Sequence, residues 1–265
     1  MNGKCRLCLR DGVDLMRSHF LPAAAYRIMR DEKLKNPNPY LLTKVSAAQT
    51  SWQMRAHLLC HECEQRFQAN GESWVFKRCL QKDGSFPLQD ILASRRPEMG
   101  SGQTTEVHYA VNIAEMNVAA LAYFAASMFW RGSIHGWNLD GSVPVKLGPF
   151  QEPIRRYLMG ESAFPPDCAL WIALPKGRGA YEQLTYAPCG ERQDGFHGFR
   201  FPMAGIAFSM LVSKHLPQLY KNMCFVHGAG NPVFRTVHVD KWVERDAVRM
   251  ITSNSRLLNA VRNAG

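Results

Sequence analysis

The hydrophobic pattern is that of a mixed chain, with short extended runs at the start, helical spacing in the middle and strand-like runs later. Residues 14–20 read as an extended segment after the Asp11-Gly12 turn. Pro22 then opens a helix over 23–29, because a proline in the first turn lacks only a donor that has no helical partner there. Asn36-Pro37-Asn38-Pro39 is a loop. From Cys63 onward, Phe67, Trp74, Val75 and Cys79 recur on roughly one helical face, with Gly71 in their midst as a bend point costing about 1 kcal/mol relative to alanine.

A Ser-Arg-Arg-Pro stretch followed by Gly100 and Gly102 reads as a linker over 94–104, dividing the chain into 1–93 and 105–265. Beyond it, a strongly apolar helix is predicted over 112–132 and a short one over 154–159. Strand-like runs cover 169–174, 181–187, 196–201, 205–212, 223–227 and 233–239. Hairpin-length connections between them predict an antiparallel sheet with helices on one side, hence an α+β fold class. The end, 243–261, reads as one or two basic helices. Phe124, Phe129 and Trp130, like Trp74 and Phe76, recur at helical spacing and are expected in the core.

At 265 residues and 46% hydrophobic composition, the chain can bury a substantial core. The longest apolar run, 118–130, is too short for a bilayer, which needs about 20 residues, so no membrane partner is expected. No secretory signal is visible at the start, which points to the cytoplasm. The formal charge of +10, from 32 basic and 22 acidic residues, favours a polyanionic partner. The excess is spread along both halves without a basic tail. Arg95-Arg96 and Arg155-Arg156 are the adjacent arginine pairs that can touch phosphates or stay solvated.

Chemistry enters with eight cysteines, four of them paired by spacing: Cys5-Arg6-Leu7-Cys8 and Cys60-His61-Glu62-Cys63. Two Cys-x-x-Cys turns are a common way to hold tetrahedral zinc, each giving two thiolates. Without an export signal, they read as metal ligands in preference to disulfides. A thioredoxin-like redox pair fits less well, since neither pair sits in a strand-to-helix setting with the usual flanking residues. Cys79, Cys168, Cys189 and Cys224 stand alone.

Between the two turns lies Arg17-Ser18-His19-Phe20-Leu21-Pro22. With Cys5/Cys8 before it, and Leu58-Leu59-Cys60-His61-Glu62-Cys63 opening a helix after it, residues 1 to about 80 resemble the treble-clef zinc branch of the HNH nuclease superfamily. The resemblance implies a structural zinc on the four cysteines and an endonuclease chemistry in which His19 is the general base for phosphodiester hydrolysis. It also implies a catalytic Mg2+ or Mn2+ beside His19 and nucleic acid as partner, DNA over RNA. Such chains often act in restriction, mobile elements or phage defence. Ser18 and Gln68 stand where that family places metal ligands, and neither carries the charge that suits magnesium. Glu64, Gln68 and Glu72, spaced four apart on one helix face, and His57 are therefore the candidate ligands. The other reading is a non-catalytic treble-clef module whose surface binds a protein, a second copy or nucleic acid.

Overall fold

The computed structural model describes residues 1–30, 37–38, 40–42, 47–49, 53–100, 105–137, 145–177, 184–186, 189–193 and 195–238. The N-terminal part begins with β1 (Asn2–Gly3) and β2 (Val13–His19), followed by α1 (Ala23–Ile28) and the short strands β3 (Tyr40–Leu42) and β4 (Ala47–Gln49). Strand β5 (Arg55–Cys60) pairs antiparallel with β2, with a register shift between Met16 and Arg17. It runs directly into α2 (His61–Phe67), a π turn over Gln68–Glu72 and α3 (Ser73–Arg78). The predicted single helix after Cys63 is thus interrupted by a wider turn. Helix α4 (Pro87–Ala93) has the proline at its start.

The rest comprises β6 (Glu106–Tyr109), α5 (Val118–Ile134), α6 (Gln151–Met159), β7 (Cys168–Pro175), β8 (Leu184–Tyr186), β9 (Cys189–Gln193), β10 (Phe196–Met203), β11 (Ile206–Val212), α7 (Gln218–Met223) and β12 (Pro232–Thr236). Six strands form one sheet in the order β6-β12-β7-β11-β10-β9, while β1-β2-β5 and β4-β3-β8 form two smaller ones. The large sheet is antiparallel except for β12 against β7, which departs from the wholly antiparallel expectation. Between β10 and β11, Ala204 and Gly205 both take left-handed backbone angles, the two-residue turn that matches strand twist.

Three sequence expectations need correction. The apolar helix starts six residues later than predicted, because Asn117 caps it by accepting a hydrogen bond from the Ala120 amide at 2.9 Å. Residues 223–227 are not a strand: α7 ends at Met223, and turns follow, closed by the Gly228 amide on the Cys224 carbonyl. The strand expected from 205 begins at Ile206, because Gly205 belongs to the turn; that expected over 181–187 is a strand at Leu184–Tyr186, its other residues lying outside the described ones. The expected helices over 243–261 lie outside the described residues.

One buried cluster runs through both sides of the 94–104 stretch. It holds Leu7, Phe67 and Val75 from the first part together with Phe124, Trp130, Phe201 and Phe208 from the second. Phe124 packs edge-on to Phe76, and Trp130 edge-on to Phe67. Helix α5 is buried nearly all round, which is why its sequence shows no polar stripe. The six-stranded sheet covers it through Phe201 and Phe208.

Gly71 sits where the π turn meets this helix. A Cβ there would lie 3.0 Å from both the Cα and the N of Phe124, backbone atoms that cannot move aside cheaply. The glycine is therefore needed for close approach as well as for the change of helical pitch. Gly71→Ala, normally a gain of about 1 kcal/mol in a helix, is expected here to destabilise the protein by about 1–3 kcal/mol through overpacking. Thermal or urea denaturation of the two proteins checks this; an unchanged or higher midpoint would refute the contact argument.

Candidate functional site

The metal centre is assembled from two backbone turns. In the first, the Leu9 amide donates to the Cys5 carbonyl at 3.0 Å, and the Cys5 amide donates to the Arg10 carbonyl at 2.9 Å, with Leu9 held in the left-handed region at φ 61°. In the second, Cys60 ends β5 and Cys63 lies in the first turn of α2. The Arg6 amide donates to the Leu58 carbonyl at 2.9 Å and ties the turns together.

All four sulfurs lie within 4.8 Å of one another, and Cys8 and Cys60 are 3.8 Å apart. Four sulfurs at about 2.3 Å from a tetrahedral zinc are about 3.8 Å from each other, so the donor set fits Zn2+. Thiols packed this closely cannot share protons evenly. The hydrogen bond from Cys63 pulls Cys5 down to about 4, whereas that same bond, with burial behind it, pushes Cys63 up. A bound divalent cation resolves the conflict by favouring all four thiolates. Four thiolates would leave such an ion no open coordination position, so the cluster is compatible with a structural zinc that would serve folding.

Two arginines frame this centre. Arg10 donates from Nε to Cys8 Sγ at 3.4 Å and from Nη2 to Cys60 Sγ at 3.3 Å, and it pairs with Glu62 at 2.9 Å. Its charge partly offsets that of a tetrathiolate zinc. Arg155, which the sequence offered as one of a solvated pair, is buried instead. It donates to the Leu7 carbonyl at 2.7 Å while Glu152 and Glu161 hold its other donors, so α6 braces the first cysteine turn.

Beside the metal centre, the end of β2, the start of α1 and the α2–α3 helix enclose an open cleft of about 310 Å3. His19, Glu64, Gln68 and Glu72 all line it, together with Pro22, Arg27 and Arg131. Four of the sequence-nominated residues are thus neighbours. His57 is not among those lining it: its Nδ1 lies 3.0 Å from the Leu15 carbonyl on the exposed face of the hairpin. Ser18 points inward and is buried, its hydroxyl accepting from the Leu59 amide at 3.2 Å next to the β-bulge. That stitching role explains why a serine stands before His19.

Within the cleft the four residues differ in state. The Nε2 of His19 is buried and has no protein hydrogen-bond partner, and the same holds for Oε1 of Glu64. Burial, then the charges of Arg55 and Arg131, hold the imidazole below its ordinary value of 6.5 against the opposing pull of Gln53 and Glu64. His19 is therefore neutral at pH 7 and able to accept a proton. Glu72 is committed: its Oε1 meets Arg131 Nη2 at 2.7 Å. Arg131 also reaches the His19 carbonyl at 3.5 Å and lies 4.6 Å over the Phe67 ring. Among the described residues, the four cysteines are the one group of three or more His, Cys, Asp or Glu side chains whose ligand atoms come within 4.8 Å. The cleft thus arranges its donors around a space and not as a closed ligand set.

The nominated Arg95 pairs with Glu115 at 2.9 Å, away from the cleft, and Arg96 is exposed beside it. The sequence reading missed Arg131, whose one legible signal is a lone cation closing a thirteen-residue apolar run. It also missed Arg27, which looks like any exposed helix arginine. No family model, curated protein or solved structure matches this chain, so its function must be argued from this geometry.

Cys60→Ser removes one of four ligands that join segments 51 residues apart, and structural zinc contributes on the order of 10 kcal/mol or more of folding free energy. The variant is expected to lose zinc by elemental analysis and to aggregate, and wild-type protein without stoichiometric zinc (or iron) would overturn the assignment. Arg10→Ala should retain the fold but weaken zinc about 10- to 100-fold, the usual effect of removing an outer-shell partner. Competition with a chromogenic chelator measures it.

Proposed function

We propose that the protein is a zinc-stabilised, HNH-like nucleic-acid-binding protein of treble-clef type that cleaves phosphodiester bonds, DNA in preference to RNA, in the cytoplasm. What supports the family reading is the order of parts: a cysteine turn, a hairpin carrying a histidine near its end, then a cysteine turn that opens a helix. The observation that carries the catalytic reading is the pairing of His19 and Glu64, each bringing a buried polar atom without a protein partner to the lining of one cleft.

In this reading neutral His19 takes the proton from an attacking water at Nε2. The new bond forms between the water oxygen and phosphorus as the bond to the leaving sugar oxygen breaks. Glu64, with the amide of Gln68 nearby, would hold a Mg2+ or Mn2+ ion, whose chemistry is to stabilise charge on the leaving oxygen. Arg131 keeps both the His19 backbone and Glu72 in place, which leaves Glu72 a structural partner and not a ligand.

That commitment of Glu72, with the inward Ser18, favours a second reading in which the same scaffold binds nucleic acid, a protein or a second copy without cutting. The two part on one experiment. With Mg2+ or Mn2+, wild-type protein is expected to nick plasmid DNA, and His19→Ala to lower the rate by about 10^2- to 10^4-fold with zinc content unchanged. Glu64→Gln should lose the stimulation of cleavage by added metal. Intact plasmid and RNA after incubation with wild-type protein, together with retained binding on a gel, would establish the non-catalytic reading.

A further inference from the structure

Six of the described arginines, Arg10, Arg95, Arg131, Arg155, Arg156 and Arg235, are paired with carboxylates. Among those that are not, Arg6 and Arg96 are exposed in other segments while Arg66 and Arg78 are half-buried. Arg17, Arg27 and Arg55 form no ion pair, and all three are exposed. These three lie about His19. Arg55 is its cross-strand partner, and Arg17 stands two residues before it, opposite His57. Arg27 lines the cleft itself.

Strand alternation fixes which way these side chains face. Ser18 and Ala56 alternate to one side of the β2–β5 hairpin, with Ser18 buried, so Arg17, His19, Arg55 and His57 alternate to the other; Arg17, Arg55 and His57 are exposed there, while His19 turns its buried Nε2 into the cleft. Two residues along a strand advance about 6.7 Å, so Arg17 and Arg55 present two separate guanidinium groups along the approach to His19. Arg55 donates from Nη2 to Gln53 Oε1 at 2.7 Å, which orients the group without neutralising it. Of the acidic groups that line the cleft, Glu72 is taken up by Arg131 and Glu64 turns a buried oxygen inward, while the exposed Asp14 of β2 alternates to the Ser18 side of the strand. Free, planar guanidinium groups suit bidentate capture of phosphate oxygens.

We propose that the outer face of this hairpin is a track for a DNA backbone, with Arg17 and Arg55 holding separate phosphates and Arg27 holding one at the cleft mouth beside His19. The proposal rests on the reading that the cleft takes nucleic acid, and it assigns the contacts to this face and not to Arg95 and Arg96. The track presents positive charge without a base-reading element, so affinity is electrostatic and nearly independent of base sequence.

The test uses the full chain with its zinc, in buffer without Mg2+ or Mn2+, titrated into a fluorescent duplex DNA oligonucleotide over a range of salt. The double variant Arg17→Gln/Arg55→Gln is expected to bind roughly 100-fold more weakly at about 50 mM salt, and its plot of log affinity against log salt to be shallower by about 1.8. Arg95→Gln/Arg96→Gln should bind as wild type. Should the double variant lose zinc, the single substitutions are read instead, each with roughly a tenfold loss and a slope change of about 0.9. Wild-type-like binding by the Arg17/Arg55 variants, an equal loss in the Arg95/Arg96 variant, or no DNA binding by the wild type overturns the track. Absence of cleavage by the wild type is a separate result: the track stands if binding falls as expected whether or not the protein cuts. Unchanged affinity with intact cleavage removes the track and leaves the nuclease reading.

Discussion

Everything in the first part of the chain depends on four sulfurs meeting within 4.8 Å. The two cysteine turns are separated by 51 residues, and closing so long a loop costs entropy that grows slowly but starts high. The local backbone contributes little to offset it. One turn even holds Leu9 in left-handed geometry, which a side chain tolerates poorly. A divalent cation would supply what the peptide lacks, because thiolate bonds would draw both turns to one point and remove the proton conflict between Cys5 and Cys63. Once they are joined, β5 is set against β2, the bulge beside Ser18 follows, and His19 is delivered to the end of its strand facing α2.

The second constraint comes from the C-terminal half. Burying an arginine is costly unless its charge is paired and its donors are used. Arg131 and Arg155 meet that condition with carboxylates and with backbone carbonyls of the N-terminal part: His19 for Arg131 and Leu7 for Arg155. Removing either partner would strand a charge, so these contacts specify how α5 and α6 sit against the zinc-bearing segment. Gly71 completes the fit by letting the π turn approach the backbone of Phe124. The candidate site is therefore not the property of residues 1–93 alone; a helix from beyond the 94–104 stretch forms one of its walls.

Electrostatics then divides the basic residues by role. Arginines with carboxylate partners shape the interior or lie in local surface pairs, while Arg17, Arg27 and Arg55 keep their charge available beside a neutral imidazole. The same positive surroundings that would attract phosphate also disfavour protonation of His19. Burial is the larger cause of the lowered His19 value, and the charge of Arg55 adds to it.

The four-cysteine cluster was legible because metal ligation demands a residue type at a fixed short spacing, and a Cys-x-x-Cys turn encodes that locally. The elements themselves were legible where periodicity is strong, as in the sheet strands and α6, and misplaced where a cap decides the boundary, as at Asn117. His19, Glu64, Gln68 and Glu72 were found by order and by four-residue spacing on one helix, which survives the π turn because all three helical residues still line the cleft. His57 and the Arg95-Arg96 pair were nominated on residue type, which does not report direction: His57 alternates onto the open face of the hairpin, and Arg95 is paired with Glu115. Arg131 and Arg155 carried no pattern at all, since whether an arginine is solvated, buried or poised for a ligand depends on which carboxylate lies beside it. The sequence alone determined the cysteine pairs that meet in one cluster and the local elements. Only the tertiary structure decided which charges are neutralised and which remain free, because ion pairs form between residues that the chain brings together from far apart.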